Sequence, residues 1–481
     1  MKKAIKVLFF ACFLPVHIQV LSLSTTPRQN TISPNICNSA IEILEEQSIR
    51  NIPLDAALRR YSKRSDLDSQ DQNSLRELLL GVARRQYRID WRLREAGLDC
   101  TAEHRVITAL GGGYIGEIGG TNIVDELTVL YPWLEGVINI AGSTGSTLEV
   151  DGMDLQTRLE CPDWAWRGLN DVFDNEDDLT TEVRALQQAA PLDLRVNTLK
   201  CKTRDDALRD IVNAGFDATP APWSPIGIRL KHRVPLGKIP GLLSGIVEPQ
   251  DEGSQLVAAL LDARPGDKVA DYCAGTGGKT LQIAAQMQNR GILYSLDVDA
   301  DRLERGRSRC SKAGVSNVQR QAVQADMTRK DKWCKRRKRT FDRVLVDAPC
   351  SGVGSWRRKP DARRTWAGLK NGNENDEEEG DKGVERLANL LPLQQHILKR
   401  AARLVKPGGR LVYVTCSVLP EENERQIEEF LRGDEGCDWH LDPLRDFYVP
   451  FEAGNGRYLR LTPAQHNTDG FFAAVMTRNL N

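Results

Sequence analysis

"DKVADYCAGTGGKTLQIAAQM", residues 267–287, decides the fold. A strand-like run from Val269 to Tyr272 meets Cys273. Gly275, Gly277 and Gly278 then interrupt the chain, and helix-forming residues follow from Lys279. Apolar run, glycine loop and helix make one strand–turn–helix unit. The pattern recurs downstream. "GILYSLDVD" (291–299), "FDRVLVDAPCSG" (341–352) and "GGRLVYVTCS" (408–417) are apolar runs ending in an acid or a cysteine. Helical stretches such as "LQQHILKRAARLV" (393–405) separate them. Strands alternating with helices predict an α/β fold with a doubly wound, Rossmann-like parallel sheet over residues 261–481. Such sheets bind ligands at the carboxyl ends of their strands, so residues at those ends are candidates for chemistry.

Four consecutive strand ends carry Cys273, Asp297, Asp326 and Asp347. The loop Cys273, Ala274, Gly275, Thr276, Gly277, Gly278 and Lys279 lets backbone approach a ligand and opens a helix whose N–H groups face it. Asp297 ends the next strand about 20 residues beyond the central glycine, where an acid meets a ribose hydroxyl in nucleotide-binding sheets. That pair fits NAD or S-adenosylmethionine. The spacing is not that of a P-loop. Asp326, in "QADM", is placed to accept an adenine amino proton. Two cysteines, Cys350 in "DAPCSG" and Cys416 in "VTCS", follow the ends of further strands and can face one cleft. A lone cysteine there would ordinarily be a packed residue. A hydride-transfer enzyme would use the glycine loop and Asp297 but leaves both cysteines unexplained.

Upstream, the reading is coarser. The 481 residues imply several domains, and Lys+Arg and Asp+Glu are both 66, so net charge favours no partner. The 11 cysteines include no C-x-x-C pair and the six histidines lie far apart; no metal site or disulfide scaffold is expected. Residues 1–40 combine Lys2, Lys3 and Lys6, an apolar stretch from Val7 and a Ser/Thr-rich, acid-free segment. That is a signal followed by transit-peptide character, which predicts a two-part leader to a plastid, with the mitochondrion as the alternative. Residues 41–160 are expected to be a helical domain with loops, the glycine-rich stretches 109–120 and 139–152 among them. Leu75, Leu78, Leu79 and Val82 form one buried stripe there. Arg84, Arg85, Arg88, Arg92 and Arg94 read as a solvated face, or else as a phosphate-facing one. Residues 161–260 predict a small α+β pre-domain, with "LDLRVNTLK" as a strand and "RDDALRDIVNAG" as a helix ending at Gly215. The segment 372–383 has no apolar residue and many acids, and predicts a disordered surface insert.

The motifs "LRVNTLK", "QDEGSQ", "DYCAGTGGKT", "DAPCSG", "KPGGRLVYVTCSVLPEENE" and "LTPAQHNTDGFFAAV", in this order between about 185 and 479, resemble the RsmB/Nop/Sun family of RNA 5-cytosine methyltransferases. "SLRELLLGVARR" is similar to the NusB-like domain of the bacterial RsmB branch, which acts on small-subunit ribosomal RNA. The family commonly has Ala-Pro where this chain has Gly275-Thr276. The resemblance implies S-adenosylmethionine as cofactor and RNA as partner. It makes Cys416 the nucleophile at carbon 6 of cytosine, Cys350 an aid to release, and Asp347 a contact to the base. It also implies an RNA-binding role for the pre-domain. A monomer with no stable membrane association is expected. Transfer RNA is the other target to weigh, and an RNA-binding assembly factor without methylation is the alternative from another class, although it would need neither cysteine. A helix starting near Pro420 would help to ionise Cys416, with Glu421 and Glu422 opposing it. The basic runs 329–343 and 357–366 flank Asp347 and Cys350 in sequence and are expected to touch RNA.

Overall fold

The computed structural model describes residues 33–50, 52–111, 131–134, 137, 152–173, 175–232, 234–324, 331–366, 376–444 and 456–480. Asp326, the leader up to residue 32 and most of the glycine-rich stretches lie outside the described residues. The chain divides into two compact units, Met1–Cys161 with Gly368–Asp376, and Pro162–Ala367 with Glu377–Asn481.

The first unit is helical: α1 (Pro34–Arg50), α2 (Leu54–Ser62), α3 (Ser69–Arg84), α4 (Gln86–Glu95) and α5 (Ala102–Gly111). Asp68 starts α3 by accepting the N–H groups of Gln70 and Asp71, both at 2.8 Å. The stripe Leu75, Leu78, Leu79 and Val82 is buried as expected. Three expectations need correcting. Ile36, Ala40 and Ile43 of α1 are buried in the helical core, so the chain from Pro34 onward is part of this unit rather than leader. Arg88 is neither solvated nor phosphate-facing: its Nε donates to Glu160 at 2.9 Å, and the same carboxylate accepts the N–H groups of Tyr87 and Arg88. The stretch expected to be loop from residue 109 is helical through Gly111, the end of α5.

In the second unit, β1 (Leu192–Val196), β2 (Ala218–Pro220), β3 (Gly227–Leu230) and β4 (Val247–Pro249) form an antiparallel sheet in the order β2-β3-β1-β4. The helix Arg204–Asn213 packs Ala207 and Ile211 into the same apolar cluster as Leu194, Val196 and Ile228. The chain then enters the large sheet: β5 (Lys268–Tyr272), β6 (Ile292–Asp297), β7 (Val318–Ala322), β8 (Phe341–Asp347), β9 (Val405–Thr415), β10 (Trp439–Leu441), β11 (Leu459–Leu461) and β12 (Phe471–Arg478). Its order is β10-β12-β9-β8-β5-β6-β7, with β11 beside β12. Strands β9, β8, β5, β6 and β7 run parallel, and β12 is antiparallel to β9. Val344, Leu345 and Val346 are fully buried, as are Leu411 to Val414. This is the double-sided burial that helices on both faces impose on central parallel strands. Each such side chain contributes roughly 1.5–3 kcal/mol.

The acidic insert departs from expectation. A helix, Asp376–Ala402, begins inside it. At Gly383, the last residue of the segment, a Cβ would lie 2.6 Å from the Trp164 ring. From Asp376 the segment is helix, and its last residue, Gly383, is packed against Trp164, so deletion of the segment would remove helix rather than free loop.

Candidate active site

The first β–α turn is built by backbone. β5 ends at Tyr272, and Cys273, Gly275 and Gly277 adopt φ of 65°, 58° and 85°. For Cys273 the left-handed region costs about 1–2 kcal/mol, strain of the kind held at functional sites. Gly277 precedes the helix Gly278–Gln286, whose first N–H groups stay free to meet a ligand. The space above Gly278 is open: an added Cβ would meet nothing within 4 Å. The Gly275 N–H donates to Asp297 Oδ2 at 2.8 Å, and Asp299 N–H to Oδ1 at 2.9 Å, so the loop and the end of β6 are one construction. A buried acid, an open helix N-terminus and backbone in the left-handed region fit S-adenosylmethionine. Asp297 suits the ribose hydroxyls and the glycine loop the carboxylate end. Burial, with Asp297 and Asp347 nearby, holds the Cys273 thiol well above its ordinary range. It is a neutral wall of this loop.

Two strands away, the cysteines meet. β8 ends at Asp347 and β9 at Thr415, and the strands are neighbours in parallel. Cys350 Sγ lies 3.3 Å from Cys416 Sγ. The contact with the Cys416 sulfur, followed by burial, pushes the Cys350 thiol well above its ordinary range, so Cys350 stays protonated. Lys279, from the glycine loop, donates its ammonium to Asp347 Oδ2 at 2.8 Å. Burial disfavours that charge, but Asp347 outweighs it and holds the ammonium above its ordinary value, with Cys416 contributing in the same sense. Asp347 keeps 32% of its side chain exposed, so the end of β8 remains open. Cys273, Gly275, Lys279, Asp297, Asp347, Cys350 and Cys416 thus share one edge of the sheet.

Other parts of the sequence reading fall differently. The helix expected from Pro420 begins at Glu424. Glu422, expected to oppose it, is fully buried beside the cysteine loops. Its carboxylate accepts the Ser351 N–H at 2.7 Å, the Ser351 hydroxyl at 2.5 Å and Gln394 Nε2 at 3.0 Å. Ser351 and Glu422 lie within the motifs "DAPCSG" and "KPGGRLVYVTCSVLPEENE" and Gln394 in neither, and no local pattern pairs them, because they meet only across β8, β9 and the long helix. The basic run 357–366 is structural. Arg357 donates to Thr468 O and Asn467 Oδ1, and Arg358 bridges Asp251 at 2.6 Å and Asp469 at 2.7 Å. Arg363 and Arg364 are buried. In the run 329–343, Trp333 packs on Tyr294 and Phe341, near the amino ends of β6 and β8. The described run starts at the carboxyl edge, where Asp331 accepts the Gln324 N–H beyond the end of β7, and reaches the amino end of β8 at Phe341.

Arg195 and Asn197, in "LRVNTLK", join the small sheet to the large one. Arg195 donates to Gly278 O at 2.8 Å and Asn197 Nδ2 to Ala313 O at 2.8 Å. Burial lowers the Arg195 guanidinium to about 10, still charged at neutral pH. Among the described residues no helix is long and apolar enough to cross a membrane, and no group of His, Cys, Asp and Glu is arranged to hold a metal.

Comparison with known proteins agrees with this geometry. Residues 258–477 match the family model for the 16S rRNA methyltransferase RsmB/F, and residues 161–237 match that for the RsmF/B-like ferredoxin-like domain. The chain is 29% identical to a probable ribosomal RNA small subunit methyltransferase B of Synechocystis, over 91% of this chain and 98% of that one. It is 31% identical to the ribosomal RNA small subunit methyltransferase B of an Enterobacter strain, over 72% of this chain and 73% of that one. The crystal structure of a methyltransferase homologue from Pyrococcus horikoshii shares 28% identity at a TM-score of 0.53, covering 67% of this chain and 97% of that one. The chain belongs to the RsmB/Nop/Sun family of S-adenosylmethionine-dependent methyltransferases.

Proposed function

We propose that the protein methylates carbon 5 of a cytosine in small-subunit ribosomal RNA, with Cys416 as covalent nucleophile. The observation that carries this is the 3.3 Å contact between Cys350 and Cys416 beside Asp347, on the same sheet edge as the glycine loop. A protein that only bound RNA would need no such pair. The similarity to ribosomal RNA small subunit methyltransferases B supports ribosomal RNA as the target.

S-adenosylmethionine, when bound, supplies an electrophilic methyl group. Carbon 5 of cytosine is too weak a nucleophile to take it unaided. The Cys416 thiolate adds to carbon 6, forming a C–S bond and moving electron density to carbon 5. Lys279 offers positive charge within electrostatic reach of Cys416. Asp347 faces the ring near N3 and accepts a hydrogen bond from the exocyclic amine. After methyl transfer the proton on carbon 5 passes to solvent water, its electron pair forms the C5–C6 double bond, and the C6–S bond breaks with its pair returning to the Cys416 sulfur. Cys350, whose neutral thiol touches the departing sulfur, donates to it and eases its expulsion. The base must be flipped out or single-stranded to reach Cys416.

The test uses Cys416→Ala and Cys350→Ala with small-subunit RNA. Cys416→Ala should lower methyl transfer by several orders of magnitude and give no covalent protein–RNA complex. Cys350→Ala should methylate once, stall and accumulate a complex that survives denaturing gels. Reversed phenotypes would move the nucleophile to Cys350. Bisulfite sequencing of the RNA with and without the protein locates the modified cytosine.

A further inference from the structure

Catalysis by two thiols demands that their separation be fixed, and neither cysteine fixes it alone. Each sits on a loop after its strand, β8 for Cys350 and β9 for Cys416. Strand pairing ends by Asp347 on β8 and Thr415 on β9. The two loops are joined by a backbone bond, Gly354 N–H to Cys416 O at 3.0 Å, and by side-chain hydrogen bonding around one buried carboxylate that reaches the residues on either side of Cys350. Glu422 takes both donors of Ser351, the residue after Cys350. Gln394 Nε2 donates both to Glu422 Oε1 and to Pro349 O, the residue before Cys350, each at 3.0 Å. On the other loop, Ser351 Oγ lies 3.3 Å from Ser417 Oγ, next to Cys416. The backbone of Glu422 is tied to β9, its carbonyl accepting the Tyr413 hydroxyl at 2.9 Å. Asn423 then closes the Cys416 loop: its Oδ1 accepts from Thr415 Oγ1 at 2.5 Å and its Nδ2 donates to Ser417 O at 3.0 Å.

We propose that Glu422 is the positioning residue of the cysteine pair, clamping the Cys350 loop onto the Cys416 loop so that one thiol stays in contact with the sulfur of the other through the reaction. The proposal rests on the two-cysteine mechanism and deepens it. Three donors from two elements converge on the carboxylate, and an acceptor-only group satisfies all of them. Truncation to alanine removes these acceptors altogether, whereas an amide could keep the contacts, its oxygen accepting from Ser351 N–H and Gln394 and its NH2 donating to the Ser351 hydroxyl. The clamp touches no substrate and makes no bond to either sulfur. Its loss should therefore spare attack by Cys416 and impair the step that needs Cys350.

The experiment compares wild type, Glu422→Ala, Ser351→Ala and Cys350→Ala, each alone and with Glu422→Ala or Ser351→Ala added to Cys350→Ala. Each is assayed for multiple turnover, for cofactor affinity and for the fraction of RNA held in a denaturant-stable covalent complex. Glu422→Ala should lower turnover about 10–100-fold with cofactor affinity changed less than about twofold, and should raise the trapped fraction as Cys350→Ala does. In the Cys350→Ala background neither clamp variant should raise the trapped fraction further. Ser351→Ala, which keeps the N–H bond, should do the same more mildly and keeps the test valid if Glu422→Ala does not fold. Turnover falling only in proportion to folded protein, with no rise in trapped complex for either clamp variant, overturns the proposal. If Cys350→Ala itself traps nothing, the two-cysteine mechanism falls first, and the clamp with it.

Discussion

The glycine loop after β5 and the cysteine pair after β8 and β9 stand on one edge of the same sheet but are held by different means. The loop is local. Its shape comes from the left-handed backbone at Cys273, Gly275 and Gly277, and hydrogen bonds such as Gly275–Asp297 and Arg309–Thr276 anchor that backbone from outside. The cysteine pair is assembled from distant segments. Cys350 and Cys416 meet only because β8 pairs with β9, and Glu422, Gln394 and Ser351 then lock the loops by side chains. Backbone also packs tightly there. At Gly354 a Cβ would lie 2.1 Å from Gly470 O, and the Gly354 N–H donates to Cys416 O at 3.0 Å. A binding loop must stay open for a cofactor to enter and leave. A covalent site must hold its reacting atoms.

The contrast breaks first at the glycines. Gly354→Ala should cost about 3 kcal/mol of stability, because backbone rather than a side-chain tip must move. It should also reduce covalent complex formation, since Cys416 moves with it. Thermal unfolding with a melting temperature near wild type would show the cysteine edge to be softer than its contacts imply. Asp297→Ala should weaken S-adenosylmethionine binding by about 2 kcal/mol, roughly 30-fold, as when a charged hydrogen bond is lost. Calorimetric titration with unchanged affinity would remove Asp297 from the cofactor site.

A pH dependence sharpens the same comparison. Burial pushes the Asp271 carboxyl, behind the glycine loop, up to about 7, against the opposing hydrogen bond from Thr280 and with Asp347 adding to the rise. The folded value lies above the unfolded one. The stability Asp271 contributes is therefore complete below about pH 4, declines as pH rises, and is spent above about 7. Relative to Asp271→Asn, wild type should lose at most about 1.4 kcal/mol per pH unit across that window, read by denaturant titration at several pH values. Parallel curves would mean that Asp271 stays ionised. The smallest effect is expected at Gly275→Ala. The φ of 58° costs about 1 kcal/mol for alanine, and the Cβ would meet only the guanidinium end of Arg302, half exposed and free to swing away. Its stability should change far less than that of Gly354→Ala.

Much of the fold was legible because parallel strands buried on both faces write themselves as apolar runs, and their ends as punctuation. The strand after "GDKVADY", the glycine loop and the buried stripe of α3 are local patterns with one physical solution. The basic run 357–366 was misread because charge in a sequence says nothing about what faces it. Arg358 is partnered by Asp251 and Asp469, each more than 100 residues away along the chain. The acidic insert was misread for the converse reason, since a polar stretch can continue a helix whose apolar face begins a turn later.

The sequence by itself determined the order of strands and helices, the glycine loop and the presence of a cysteine after each of two strands. These depend on neighbours a few residues apart. Only the tertiary structure decided that the two sulfurs touch, that Lys279 reaches Asp347, and that Glu422 is buried between the two loops instead of heading a helix. Those contacts join residues far apart in the chain. They arise from sheet pairing and from the need of a buried carboxylate to find donors, and no local pattern records either.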